Sequence, residues 1–163
     1  MYSPCVVTGL ILCVQQTAAF IAPVSLPGRL APVRAVASRV GYAPTDVQGV
    51  WDNHFAAFGG KDMEKILLDY DESSVITTFD QTTDKKEVFE GLEGARKLFE
   101  GLFEALSDQS DLAAPMVQVD EAARLIFLIW RCPASGFLDA TDTFLINDTT
   151  KKISRQNVAF RTG

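Results

Sequence analysis

Asp142 is the residue whose surroundings most invite chemistry. It stands in the run Phe137 to Ile146, FLDATDTFLI. If that run is a strand, alternation puts Leu138, Ala140, Asp142, Phe144 and Ile146 on one side and Asp139, Thr141 and Thr143 on the other. One carboxylate then faces an apolar surface. Burial there disfavours the ionised form, raises the pKa, and makes the group a usable acid or base near neutral pH. The runs before and after it supply Ile126, Leu128, Trp130 and Cys132, then Ser154, Gln156, Val158 and Phe160, to the same inner faces. Gln156 is the second polar intruder.

Two more groups could act on a substrate oxygen. His54, the chain's single histidine, falls in the middle of an apolar helical stripe, and Tyr70 lies where the helical part gives way to the first strand. Placed opposite Asp142, either could polarise a carbonyl. Trp51, Trp130, Phe144 and Gln156 are the expected wall of the ligand pocket. A quieter reading stands beside this one: an inward Asp can be bonded to a backbone amide, to Gln156 or to His54, a stripe histidine can be a bonded core residue, and Trp130 can be core.

The elements that must hold these groups follow from periodicity. Thr45-Asp-Val-Gln48 fits a capping box, and Val47, Val50, Trp51, His54, Phe55 and Phe58 fall on one helix face, ended by Gly59-Gly60. Met63, Ile66 and Leu67 give a short second helix, Ser73 to Phe79 a strand, Asp80 to Lys86 a turn, and Glu87 to Glu90 a short strand. Leu92 to Leu106 carries the apolar spacing of a third helix. Four strands close the chain, at Ala113 to Val119, Arg124 to Cys132, Phe137 to Ile146 and Ile153 to Arg161, with connections short enough for an antiparallel meander. Helices followed by a curled antiparallel sheet bury their apolar faces together when the sheet wraps the long third helix, an α+β cone.

Composition bounds the partners. No Asp or Glu precedes Asp46, while Arg29, Arg34 and Arg39 do. Removing those arginines from 15 basic and 21 acidic residues leaves 12 against 21, a formal charge of about −9. Nucleic acid is excluded by the lack of a basic stripe. Of the three cysteines, Cys5 and Cys13 lie in the N-terminal stretch, leaving Cys132 without an intramolecular partner. One histidine and one cysteine do not supply the three or four converging ligands of a metal site. No metal and no cofactor is expected.

The N-terminal stretch reads as a leader. Val6 to Val14 is an apolar run too short to span a bilayer, followed by small residues that suit signal-peptidase cleavage after residue 19. Residues 20–41 carry Pro, Arg, Ser and Ala without acid. The junction Ala18-Ala19-Phe20 resembles the bipartite presequences of algae with complex plastids, which implies a plastid protein. Secretion is the alternative, and either way no membrane span is expected in the mature protein.

The order of elements and the strings His54 to Phe58, Asp69-Tyr70, Phe89-Glu90-Gly91, Thr141 to Phe144 and Ile153 to Gln156 resemble the SnoaL-like branch of the nuclear transport factor 2-like superfamily over residues 45–161. The resemblance implies the cone fold. It also implies metal-free proton transfer beside a carbonyl, as in an isomerase, cyclase or dehydratase, with Asp142 as base and His54 and Tyr70 as its helpers. The ligand would be small and largely apolar. A non-catalytic module, which pairs two copies or docks on a plastid complex, is the competing reading: Leu125, Phe127 and Ile129 are as apolar as their inward neighbours, so both faces of that strand expect cover, and a sheet-to-sheet homodimer would give it.

Overall fold

The computed structural model describes residues 41–163, so the signal and transit segments expected over residues 1–41 lie, but for Gly41, outside the described residues. Helix α1 (Val47–Gly59) starts one residue later than a capping box at Thr45 requires. Asp46, in extended backbone, is the N-cap, and its carboxylate accepts from the Gly49 amide at 2.8 Å. Gln48 does not reach back; its side chain donates to Asp52. The carboxylate of Glu121, far along the chain, accepts from the amides of Val47 and Gln48 at 3.0 and 2.9 Å. Two anions thus meet the unsatisfied, positive end of the helix.

Helix α2 (Met63–Ile66) continues into a 3-10 turn, Leu67–Asp69. Then come β1 (Val75–Asp80), β2 (Lys85–Glu90), α3 (Gly91–Ala105), β3 (Ala113–Asp120), β4 (Leu125–Cys132), β5 (Phe137–Ile146) and β6 (Ile153–Thr162). β2 passes into α3 without a loop, which Gly91 permits by taking φ +66, a left-handed conformation. A Cβ on Gly94 would stand 2.8 Å from the Phe89 backbone, so this glycine lets the helix fold back onto its own strand. Gly59 and Gly60 do close α1, but the left-handed residue is Lys61, with φ 50. Its ammonium donates to the carbonyls of Phe103 and Leu106 at the end of α3, tying the two helix ends together.

The six strands form one curved sheet in the order β2-β1-β6-β5-β4-β3, the α+β cone expected. β3 to β6 are the antiparallel meander expected. β1 lies parallel to β6, with Ile76 opposite Gln156, and the intervening α3 and meander supply the long connection that a parallel pair needs. β2 is longer than its apolar residues suggested, starting at Lys85, because charged residues on an exposed hairpin pair as readily as apolar ones.

The core fills the space between helices and sheet, with Val50, Ala57, Ile66, Ile76, Phe99 and Ile126 fully enclosed. Alternation holds along β4, where Ile126, Leu128, Trp130 and Cys132 all point inward. It fails at the start of β5. A register shift between Phe137 and Asp139 turns Phe137 inward, 6% exposed, and leaves Leu138 outside at 38%, opposite to simple parity. Among the described residues, no helix is long and apolar enough to cross a membrane.

Candidate functional site

Between the sheet and helices α1 and α3 lies a cavity of about 490 Å³. Its walls are mostly aromatic and aliphatic, with Trp51, Phe55 and Phe58 from α1, Leu98 and Leu102 from α3, and Phe144 from the sheet. That volume falls in the range of small-molecule pockets. Six polar side chains reach it: His54, Thr78, Glu87, Lys97, Asp142 and Gln156.

Asp142 is 8% exposed, on the inner face of β5 with Leu128 and Val158 as register neighbours. Trp130 Nε1–H donates to its Oδ1 and Gln156 Nε2–H to its Oδ2, each at 3.1 Å. Gln156 has its orientation set from both ends. An ionised Asp142 only accepts, so the amide NH₂ must face it, and the remaining oxygen accepts the Tyr70 hydroxyl at 2.6 Å. Burial pushes Asp142 up to about 6; the Trp130 and Gln156 hydrogen bonds and the His54 charge oppose that rise without cancelling it. Tyr70 itself is buried and does not line the cavity, reaching the site through its hydrogen bond to Gln156 and its ring contact with His54. Burial, with Asp69 and Asp142 nearby, drives its phenol well above the usual range, so Tyr70 stays a neutral donor.

His54 faces the cavity from α1 with Phe144, Phe99 and Tyr70 rings edge-on at 5.0, 5.9 and 6.1 Å. Its Nδ1 lies 3.2 Å from Asp69 Oδ2. Asp69, in the 3-10 turn and 0% exposed, also accepts from Asn53 Nδ2 at 2.9 Å and from the Tyr42 hydroxyl, both at Oδ1. With Nδ1 so engaged, the Nε2 atom is the nitrogen left for a ligand, and no group among the described residues bonds to it. The arrangement is the carboxylate–imidazole pair that orients a histidine ring and fixes its tautomer.

The structure thus brings Asp142, His54, Trp130, Gln156, Phe144 and Trp51 around one cavity. Sequence reasoning missed Asp69 as a partner of His54, and with it Asn53 and Tyr42. Asp69 stands next to Tyr70 in a turn that has neither helical nor strand period, so no pattern marked its direction. Thr78 was missed as well. It is buried, lines the cavity, and its hydroxyl has no side-chain partner among the described residues, a consequence of its place opposite Val158 in the inward row of β1. Among the described residues no group of three or more His, Cys, Asp or Glu is placed to hold a metal ion.

No family model and no curated protein matches the chain. Solved structures do. The epoxide hydrolase/cyclase-like enzyme SalBIII, of pyran ring formation in polyether salinomycin, shares 15% identity over 70% of this chain and 89% of its own, with TM-score 0.53. An NTF-2 like protein of unknown function from Burkholderia xenovorans shares 10% over 76% and 88%, with TM-score 0.53. A protein with cystatin-like fold from Methylobium petroleophilum shares 12% over 72% and 79%, with TM-score 0.56. At such identities the likeness is one of fold.

Proposed function

We propose that the domain binds a small, largely apolar molecule in this cavity and converts it by metal-free proton transfer, in the manner of an isomerase, cyclase or dehydratase. One observation carries the reading: a carboxyl group pushed to about 6 on the wall of a 490 Å³ apolar cavity that also holds an Asp-supported histidine with an open nitrogen. Two ionisable groups held in different environments at one cavity divide the acid and base roles. Asp142 as carboxylate takes a proton from carbon next to a carbonyl, the C–H electron pair moves into a C=C bond, and the carbonyl oxygen gains the charge. A proton carried on His54 Nε2 then passes to that oxygen, leaving the ring protonated at Nδ1, which faces Asp69. Gln156 and Trp130 hold the base, and Tyr70 holds Gln156.

The fold likeness to SalBIII agrees with this reading without supplying the substrate. Turnover of 5-nitrobenzisoxazole tests it, because that probe needs only a base in an apolar site: loss of its ring C–H proton breaks the N–O bond and releases a coloured phenolate. We expect rate to rise with pH through about 6, and to fall by about 100-fold or more in Asp142→Asn. Equal rates in the two proteins would sink the proposed base.

A second reading has its own observation. Phe79, Val88, Met116 and Leu145 are exposed and share the outer sheet face, in register with Leu125, Phe127 and Ile129. We infer that this face pairs two copies, with or without catalysis. Light scattering checks it: the parent should have twice the monomer mass and Phe127→Asp the monomer mass, and a monomeric parent would remove the reading. From the leader we further assign the protein to a plastid. Residues 1–41 fused to a fluorescent protein should enter the plastid of an alga with a complex plastid, and secretion of the fusion would contradict that.

A further inference from the structure

The chain ahead of α1 is more than a tether. Tyr42 is half-buried, with its ring beneath the Lys152 ammonium at 5.4 Å and its hydroxyl on Asp69. Lys152 is itself anchored on the carbonyl of Leu68, next to that same Asp69. The following residues are packed down as well: a Cβ on Gly49 would come within 3.1 Å of Asp46 Oδ1 and 3.4 Å of the Pro44 Cβ, so α1 has a glycine where Pro44 rests. Burial first, and the neighbouring Asp69 charge second, push the Tyr42 phenol above its usual range, which keeps it a donor.

We propose that Tyr42 is a positioning residue of the cavity, clamping the Asp69 carboxylate so that it holds His54 in one tautomer. This rests on the reading of His54 as a working group of the site. A carboxylate turns freely about its Cβ–Cγ bond unless its oxygens are held unequally. Asn53 and Tyr42 both donate to Oδ1, which leaves Oδ2 pointing at Nδ1 of His54. The neutral ring is then protonated at Nδ1 and offers Nε2 to the cavity. Without the Tyr42 hydroxyl, Asn53 alone holds Oδ1, and the ring samples both tautomers. The clamp also sets a limit on maturation: any leader cleavage must fall before Tyr42.

The test uses the single histidine, which gives one unambiguous set of imidazole ¹⁵N signals. In the full chain at a pH where the ring is neutral, the parent should show the Nδ1–H tautomer alone. Tyr42→Phe keeps the ring under Lys152 and removes only the hydroxyl; its two nitrogen signals should move toward each other, as in a tautomer mixture, while the backbone amide spectrum away from the cavity stays in place. Signals that superimpose on the parent's overturn the clamp, and so does a variant that melts earlier with the His54 signals unmoved. Neither outcome depends on Asp142 or on turnover, so a failure of the proton-transfer reading is seen separately, in the benzisoxazole assay.

Discussion

Asp69 and Asp142 are both buried carboxylates that act on His54, and they are held in opposite ways. Asp69 lies in the helical layer, fully enclosed, with three donors converging on it, and it is absent from the cavity wall. Asp142 lies on the sheet, has two donors, and opens on the cavity with its pKa raised to about 6. Asp69 is tied to its neighbours by three donors, whereas burial, opposed by only two, leaves Asp142 poised to exchange a proton. The same residue type is enclosed on one side of an imidazole and open to the cavity on the other.

The comparison breaks if the two respond alike to loss of charge. Asp69→Asn should be the most damaging change. It leaves His54, Asn53 and Tyr42 with a mismatched partner, and urea unfolding should register a loss of about 3–5 kcal/mol, the usual result of breaking a buried ionic cluster. Asp142→Asn should behave otherwise. A carboxyl whose folded pKa lies above its unfolded value of 3.8 binds its proton more tightly when folded, so its contribution to stability falls as pH rises from about 4 to about 6 and stays low above that. The stability difference between variant and parent should therefore shift in favour of the variant by about 3 kcal/mol across that window. A flat difference would mean that Asp142 is no more perturbed than a surface carboxylate.

Smaller changes sharpen the contrast. Trp130→Phe removes one of Asp142's two donors, so it should cost about 1–2 kcal/mol above pH 6, less below pH 5, and move the benzisoxazole pH profile upward. Thr78→Val should change stability by less than about 0.5 kcal/mol, because the hydroxyl has no partner among the described residues to lose. If it cost more than that in thermal or urea unfolding, Thr78 would belong with Asp69 as a structural polar group.

The sheet half of the site was legible because strand parity is a strict rule where one face is buried: Asp142, Gln156 and Trp130 all point where alternation puts them. The helix stripe likewise placed His54 and Trp51. What it left out follows from where periodicity stops. Asp69 sits in a 3-10 turn, Asn53 lies beside the stripe and not on it, and Tyr42 precedes the first patterned residue. Parity also misled wherever a bulge intervened, exchanging Leu138 for Phe137. Strand partners are a further step removed, since nothing local in Val75 to Asp80 announces a parallel neighbour 80 residues later in Arg155 to Phe160.

That neighbour has a consequence for how the protein comes into being. β6 follows the other described strands in the chain, yet it stands third in the sheet, between β1 and β5. Until it arrives, the β1–β2 hairpin and the β3–β5 meander share no edge, Ser74 lacks the Ile153 carbonyl that its hydroxyl bonds at 2.6 Å, and Asp142 lacks Gln156. Pairing at such sequence separation is slow, and here it waits for the segment Ile153–Thr162. The domain therefore cannot close its sheet or its cavity until Ile153–Thr162 is free to pair.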